Sequence, residues 1–595
     1  MTVSKFNDLV DMQQKSVAAF GTRTLFATKD AGAWRPTTYA EFGRRVDDFR
    51  GGLAARGVGV GDAVAIISAN RVEWAVAAYA TYGLGATFVP MYEHQLEADW
   101  DFILKDSGAT QLVVSTRSIY DTVKDWPDKI DALEGVCCMA LPREDDASFG
   151  ALETAGRENP APAKDDIDPD SVCGFIYTSG TTGKPKGVLL SHKNFTSNVN
   201  AIHQIFPLDP DDSSVSFLPW AHSFGQTVEL HCMISMGCSV AFAESIEKLV
   251  DNIAEVKPTI LVSVPRIFNK IYDGLQKKMD EAGGVKKKLF EAGMKNEGER
   301  RKLAEGGRSS LVLNLKGAFF DKLIFSKVRE RFGGRLKYAF SGGAAISTEV
   351  AEFIDRIGIM VYEGYGLTET SPIATANCRG HRKIGSVGRA IPGVSIEIDS
   401  SAVESAGDEG EVIVYGPNVM QGYHNLPEET AKVMTDDGGF RTGDRGRLDS
   451  DGYLYITGRI KEQYKLENGK YVVPAPLEEQ LQLSPYIVQV YVDGANRPYN
   501  AALVVPDQPA LQKWAAAQGL GGTYDELLER DETKKLIAGE LAKYAADFKG
   551  YERIREFALI GEEFTTANGL LTPSLKLKRR KVVDKYGDLI NSLWS

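Results

Sequence analysis

Cysteine is scarce in this sequence. The six, Cys137, Cys138, Cys173, Cys232, Cys238 and Cys378 among 595 residues, show no CxxC spacing. A disulfide scaffold is excluded, and a structural zinc site is not expected. Long apolar runs are missing as well, none reaching the roughly 18–20 residues that a membrane-spanning helix needs. The opening MTVSKFNDLVDMQQKS lacks the apolar centre of a secretory signal. A reducing cytoplasm is therefore expected, with peripheral contact at the inner face of the membrane left open. Basic charge is in the minority: 69 Lys+Arg against 81 Asp+Glu leave a formal −12. No nucleic-acid partner is expected from such a balance, because that affinity comes from neutralising phosphates. Internal repeats and low-complexity tracts are absent, and the number of copies in the working protein has no signature in the sequence.

What is present is ordinary for a globular enzyme: 43% hydrophobic and 25% charged residues. The length exceeds what one hydrophobic core serves, so two or more domains are expected. Val64–Ser68 reads as a buried strand, Arg71–Tyr82 as an apolar helix and Thr87–Met91 as a second strand, a βαβ rhythm that implies a mainly parallel sheet. Residues 142–171 are polar, acidic and proline-bearing, and read as a surface connection. The rhythm resumes at Cys173–Tyr177 and at Ser191–Ile205, where Ser191 is an N-cap and Phe195, Val199 and Ile202 share a face. Residues 269–331 read as a helical insertion broken at Gly283-Gly284 and Gly306-Gly307. From about Ser386 short strands take over (VSIEI, GEVIVYG, GYLYITG). The expected fold class is α/β. A large N-terminal domain (1–459) of stacked, mainly parallel sheets with helices carries a small β-rich subdomain at about 386–458. A small, mobile α+β domain (460–595) follows.

Three segments carry chemistry. Tyr177–Gly187 (YTSGTTGKPKG) combines glycines that allow tight turns with the hydroxyls of Thr178, Ser179, Thr181 and Thr182 and the cations Lys184 and Lys186. Such a loop suits a polyphosphate. It is not the common P-loop: only two residues separate Gly180 from Gly183, and Pro185 follows Lys184. Tyr362–Pro372 (YEGYGLTETSP), preceded by Ser341–Ala345 (SGGAA), offers Glu369 as a hard oxygen ligand for Mg2+, Tyr365 as a flat face for a base and Thr368 as a phosphate-binding hydroxyl. Thr442-Gly443-Asp444, followed by Tyr455–Lys461 (YITGRIK), offers a carboxylate for ribose hydroxyls and Arg459 for the same sugar or a phosphate. Each segment alone also fits a structural turn or a surface ion pair.

These segments occur in order, followed by Leu571–Lys576 (LTPSLK). With them the chain resembles the adenylate-forming superfamily of acyl-CoA synthetases, luciferases and peptide-synthetase adenylation domains, over roughly Phe26 to Arg580. The resemblance implies activation of a carboxylate by Mg-ATP to an acyl-adenylate, then transfer of the acyl group to a thiol. Position by position it implies that Thr178, Ser179, Gly180, Thr181, Thr182, Gly183, Lys184 and Lys186 hold the β- and γ-phosphates. Gly343, Ala344, Glu363, Gly364 and Tyr365 frame the adenine. Thr368 touches the α-phosphate, Glu369 with Thr178 serves Mg2+, and Asp444 with Arg459 holds the ribose. Lys576 is the mobile lysine that reaches the α-phosphate, here after Leu575 where Gly is commoner. Lys461 marks the hinge, and Lys465 faces the site in the thioester-forming arrangement.

The substrate is narrowed by Leu218–Gly225 (LPWAHSFG). Amino-acid-activating relatives have an Asp that pairs with the substrate ammonium, where this chain has His222, which resembles the family's gating residue beside the acyl pocket. Lys257–Phe268 and the insertion after it look like those of bacterial long-chain synthetases. The expected function is a long-chain fatty acid–CoA ligase using a fatty acid, ATP, Mg2+ and CoA. A fatty acyl-AMP ligase or an aryl-CoA ligase shares every nucleotide motif, and a non-catalytic nucleotide-binding scaffold is a third class. Residues 281–308 hold eight Lys/Arg against five Asp/Glu, a bias that fits either a solvated helix or an anionic bilayer surface.

Overall fold

The computed structural model describes residues 6–179, 184–402, 408–572 and 575–595. Two large sheets dominate the first part of the chain. In the seven-stranded sheet the spatial order is Gly422–Tyr423, Pro185–Ser191, Val172–Ser179, Thr87–Met91, Ala63–Ile67, Ala109–Val114 and Gly135–Cys138. Its last four pairings are parallel, and the hairpin of Val172–Ser179 with Pro185–Ser191 is antiparallel. The nine-stranded sheet runs Arg389–Ala390, Ile373–Ala376, Met360–Gly366, Tyr338–Ser341, Ile260–Ser263, Ser213–Ser216, Ser239–Phe242, Thr24–Asp30 and Ala33–Thr38, with parallel pairing through its centre.

The helix Val72–Gly83 is apolar on every side, and every residue in it but Glu73 is buried. Such a helix belongs between layers rather than on a surface. Its Trp74, Tyr79 and Tyr82 join a buried cluster that includes Phe88 of one sheet and Phe26, Phe242 and Val262 of the other. Ser191 caps the helix His192–Ile205, as the sequence predicts, and the structure adds Asn194, which answers it in a capping box.

The connection expected over residues 142–171 contains the helix Phe149–Glu158. Ser148 caps it, and Phe149 and Leu152 are buried, with Phe149 stacked on Phe49 at 4.0 Å between centroids. One further feature brings it against the helix Tyr39–Ala55: glycine. A Cβ on Gly156 would lie 1.7 Å from the carbonyl of Asp48, so only glycine permits this approach. Two large apolar residues in ten are too faint a periodicity to outweigh the polar, proline-bearing flanks.

The helical insertion forms Pro265–Ala282, Gly284–Glu305 and Leu311–Phe320, interrupted at Gly283-Gly284 and at Gly306-Gly307. Beyond it an antiparallel four-stranded sheet joins Ser395–Asp399, Gly410–Tyr415, Phe440–Leu448 and Leu454–Arg459. The last part of the chain packs Pro474–Leu481, Asp531–Tyr544 and Arg579–Ser592 around the three-stranded sheet of Ile487–Asp493, Asn500–Pro506 and Ile554–Leu559. Its principal buried clusters draw only on residues from Leu477 onward. Among the described residues no helix is long and apolar enough to cross a membrane.

Candidate active site

In open α/β sheets ligands collect outside the carboxyl ends of the strands. Here the ends of Val172–Ser179, Tyr338–Ser341 and Met360–Gly366 open on a cavity of about 1330 Å3. That exceeds the roughly 300–1,000 Å3 of an ordinary ligand pocket. The wall comes from both large sheets, from the four-stranded sheet and from the C-terminal part of the chain.

The hairpin register places Thr178 opposite Lys186, and both face the cavity. Lys186 Nζ pairs with Glu429 at 2.7 Å and lies over the Tyr423 ring. Glu429 also pairs with Lys432, and the hydrogen bond from Lys186 leads the causes that draw its carboxyl down to about 2. Gly180, Thr181, Thr182 and Gly183 lie outside the described residues, as does the side chain of Ser179. Lys184 is exposed, its ammonium 5.4 Å from the centroid of Phe102, and it is not on the cavity wall.

Thr368 and Glu369 sit on a short 3-10 turn, Thr368–Thr370. Asn418 anchors that turn by donating to the carbonyls of Thr370 and Ile373, and Asn198 accepts from the Ile373 N–H. Thr368 Oγ1 is 3.2 Å from Ser223 Oγ, and Tyr423 donates to Glu369 at 2.9 Å. Both Thr368 and Glu369 line the cavity, as do Gly343, Glu363, Gly364 and Tyr365. Burial pushes the Glu363 carboxyl up to about 8, so it keeps its proton at neutral pH. Ala344 is exposed and off the wall.

Asp444 and Arg459 face each other across the strands Phe440–Leu448 and Leu454–Arg459, with Nε 3.0 Å from the carboxylate. Tyr365 donates to the other carboxylate oxygen at 2.7 Å. Asp444 is thus buried just behind the wall formed by Tyr365, Thr442, Gly443 and Arg459. Burial raises its pKa and Arg459 opposes that.

Lys576 enters from the C-terminal part of the chain. Its side chain is open to the cavity solvent but surrounded by protein, and desolvation followed by Arg459 lowers its pKa, while Asp444 and Glu369 pull upward. Two hydrogen bonds to Thr572 set its direction: the Lys576 N–H donates to Thr572 Oγ1, and the Leu575 N–H to the Thr572 carbonyl. Leu575 has φ +62°, the left-handed region in which an L-residue costs roughly 1–2 kcal/mol and glycine little. Leu575 is largely exposed, so Leu575→Gly is expected to stabilise the C-terminal part by about 0.5–1 kcal/mol in chemical denaturation, after the entropy of glycine is deducted.

His222 lines the cavity and accepts the Phe224 N–H on Nδ1 at 3.2 Å. Desolvation, with Lys576 second, lowers its pKa to about 4, so the imidazole is neutral at pH 7. The wall also has apolar members: Ile202, Ile205, Phe206, Val228, Met233 and Val262. Lys461 lies on the wall, where the strand Leu454–Arg459 gives way to the C-terminal part. Lys465 is exposed, 5.0 Å from the Tyr471 centroid across a two-stranded hairpin, and is not on the wall. Tyr423, Glu429, Asn198 and Asn418 were not singled out from the sequence. Nothing in their own neighbourhoods marks them, since each acquires its role from a contact more than fifty residues away or, for Asn418, from the turn 45–48 residues before it.

Fold and cavity together define a two-part adenylate-forming enzyme. The chain belongs to the AMP-binding enzyme family, whose profile matches residues 14–424, and the profile of the AMP-binding enzyme C-terminal domain matches residues 461–595. It is similar to the long-chain-fatty-acid–CoA ligase FadD15 of Mycobacterium bovis, 33% identical over 95% of this chain and 93% of the relative. The peroxisomal long chain acyl-CoA synthetase 6 of Arabidopsis thaliana is 30% identical over 95% of this chain and 82% of its own length. Among solved structures, the A-PCP didomain of the carboxylic acid reductase of Segniliparus rugosus, in complex with AMP, shares the fold with a TM-score of 0.80. That likeness covers 99% of this chain and 82% of that one at 23% identity. Adenylate-forming enzymes use ATP with Mg2+, and their acyl-CoA ligases take CoA as co-substrate.

Proposed function

We propose that this protein is a long-chain fatty acid–CoA ligase, working in the cytoplasm, with residues 1–459 and 460–595 as its two moving parts. The observation that carries the reading is the cavity itself. Charged groups from more than one sheet line it, and so do the apolar side chains of Ile202, Ile205, Phe206, Val228, Met233 and Val262.

In the first half-reaction the fatty carboxylate attacks the α-phosphorus of ATP and pyrophosphate leaves. Attack of one anion on another builds negative charge at phosphorus, and Lys576 is the cation placed to offset it. Lys186 and Thr178 hold the outer phosphates, with Lys186 exchanging Glu429 for phosphate. Asp444 and Arg459 take the ribose hydroxyls, and Tyr365 supplies a flat face to the base. Glu369 and Thr178 would hold Mg2+. A single half-buried carboxylate steadied by Tyr423 suits an ion that completes its shell with phosphate and water, and among the described residues no cluster of three acidic, Cys or His ligands offers an alternative. When bound, the ion neutralises polyphosphate charge.

In the second half-reaction the CoA sulfur attacks the acyl carbonyl and AMP leaves. Rotation about Lys461 would withdraw Lys576 and bring Lys465, now outside the cavity, toward it. A neutral His222 offers no negative charge to an α-ammonium at its own position, so amino acids are poor substrates.

The test is pyrophosphate release across acetate, benzoate, octanoate and palmitate, with and without CoA. Release with palmitate together with CoA thioester formation is expected. Accumulation of acyl-AMP in the presence of CoA, or preference for benzoate, sinks the reading. Val228 stands on the apolar wall, half-buried, in a π-helical turn. Each methylene buried along such a wall is worth roughly 0.8 kcal/mol. Val228→Phe should therefore lower kcat/KM for palmitate by about tenfold relative to octanoate; an unchanged ratio means the chain lies elsewhere.

A further inference from the structure

The helix Leu311–Phe320 continues through Asp321–Phe325 and Ser326–Glu330 and carries two contrasting faces. Its inner face is occupied: Gly317 lies over Glu297, and Phe320 and Phe325 lie against Gly293 of the neighbouring helix. Its outer face presents Leu311, Leu315, Phe319 and Leu323 at four-residue spacing, with Val312 beside them. All five are between 38% and 75% exposed. At 1.5 Å per residue this stripe is about 18 Å long. A contiguous apolar row of this kind is not an ordinary solvent surface.

The charges around it select the partner. Lys316, Lys322 and Lys327 are exposed along the same segment. Asp321 is engaged by Arg329 through two hydrogen bonds, which leaves Glu330 at the far end as the exposed acid of the segment. Phe290 packs on Phe325 on the buried side, so the Lys286–Lys288 run, with Lys287 paired to Glu291, lies near the Phe325 end of the segment. The chain as a whole is −12, so this basic concentration runs against the general balance. A second copy docking by a two-fold contact would bring this positive patch against a second copy of itself. An anionic lipid surface accepts both features, taking the apolar row into its headgroup boundary and the ammonium groups at its phosphates.

We propose that the outer face of residues 311–323 docks this protein on an anionic phospholipid bilayer. The excess charge of residues 281–308 had hinted at such a contact, but the apolar half of the surface stands on the next helix. The patch is separate from the cavity wall, and its test reads binding rather than turnover, so its failure leaves the ligase reading untouched.

The test is co-sedimentation of the full chain with vesicles of phosphatidylcholine alone or mixed with phosphatidylglycerol. The wild type should sediment with the mixed vesicles, and less so at high salt. The double variants Leu315→Glu/Phe319→Glu and Lys316→Glu/Lys322→Glu should each lower the bound fraction by about tenfold or more. Pyrophosphate release with a water-soluble acid should be unchanged in both, which shows that they fold. Wild type that stays in the supernatant with mixed vesicles overturns the proposal, and so do variants that sediment like wild type. Light scattering that finds a dimer converted to monomer by Leu315→Glu/Phe319→Glu also overturns it, in favour of a second copy.

Discussion

Lys576→Ala should reduce acyl-adenylate formation by about 10³-fold while leaving thioester formation from supplied acyl-AMP within a few-fold of wild type. A pre-placed group that meets developing charge in a water-poor site is worth on the order of 10²–10³ in rate, and more in phosphoryl transfer. Lys576 is pre-placed in the present arrangement, close to Arg459, Asp444 and Glu369 on a cavity wall that is still open to solvent. Its backbone is held by hydrogen bonds with Thr572, so the alanine variant removes the cation and keeps those bonds. The pH profile provides a second readout. Burial and Arg459 lower the pKa of Lys576, so its positive charge is lost as pH rises at a value below that of an ordinary lysine. Adenylate formation should show an alkaline decline with that origin, and the alanine variant should lack it. Equal losses in both half-reactions would refute the division of labour between the two arrangements.

Glu369→Gln should lower ATP-dependent turnover by about 10²–10³-fold and raise the Mg2+ concentration needed for half-maximal rate. The substitution is nearly isosteric, and an amide oxygen can still accept from Tyr423, so the turn tied down by Asn418 should keep its shape. Only the charge is removed. Binding of AMP without metal, followed by calorimetry, should be nearly unaffected, because the groups proposed for the sugar and base are Asp444, Arg459 and Tyr365. Near-normal turnover at low Mg2+ would exclude Glu369 as the metal-holding carboxylate. A matching loss of AMP affinity would make it a structural residue instead.

Some residues could be read without the fold because their chemistry is local. Ser191 caps a helix through its own third neighbour, and the glycine pairs at 283–284 and 306–307 break helices where they stand. The parallel sheets follow from strand and helix lengths, and Val72–Gly83 declares itself buried by having no polar face. The helix Phe149–Glu158 escaped because what holds it is a close approach between Gly156 and the helix Tyr39–Ala55, a contact spanning about a hundred residues. The dual part played by Tyr365, which lines the cavity while its hydroxyl holds Asp444, also depends on a partner 79 residues away.

Residue type and order along the chain were enough to specify the kind of chemistry: hydroxyls, glycines and lysines for a polyphosphate, one carboxylate for a hard cation, another for sugar hydroxyls. These properties belong to the side chains and survive in any context. Position in space was decided by folding alone. Packing brought Lys186 to Glu429, set Lys576 in a pocket that lowers its pKa, left Lys465 outside and turned Leu311, Leu315, Phe319 and Leu323 toward solvent. Distance, desolvation and exposure are properties of pairs and surroundings, and no single residue carries them along the chain.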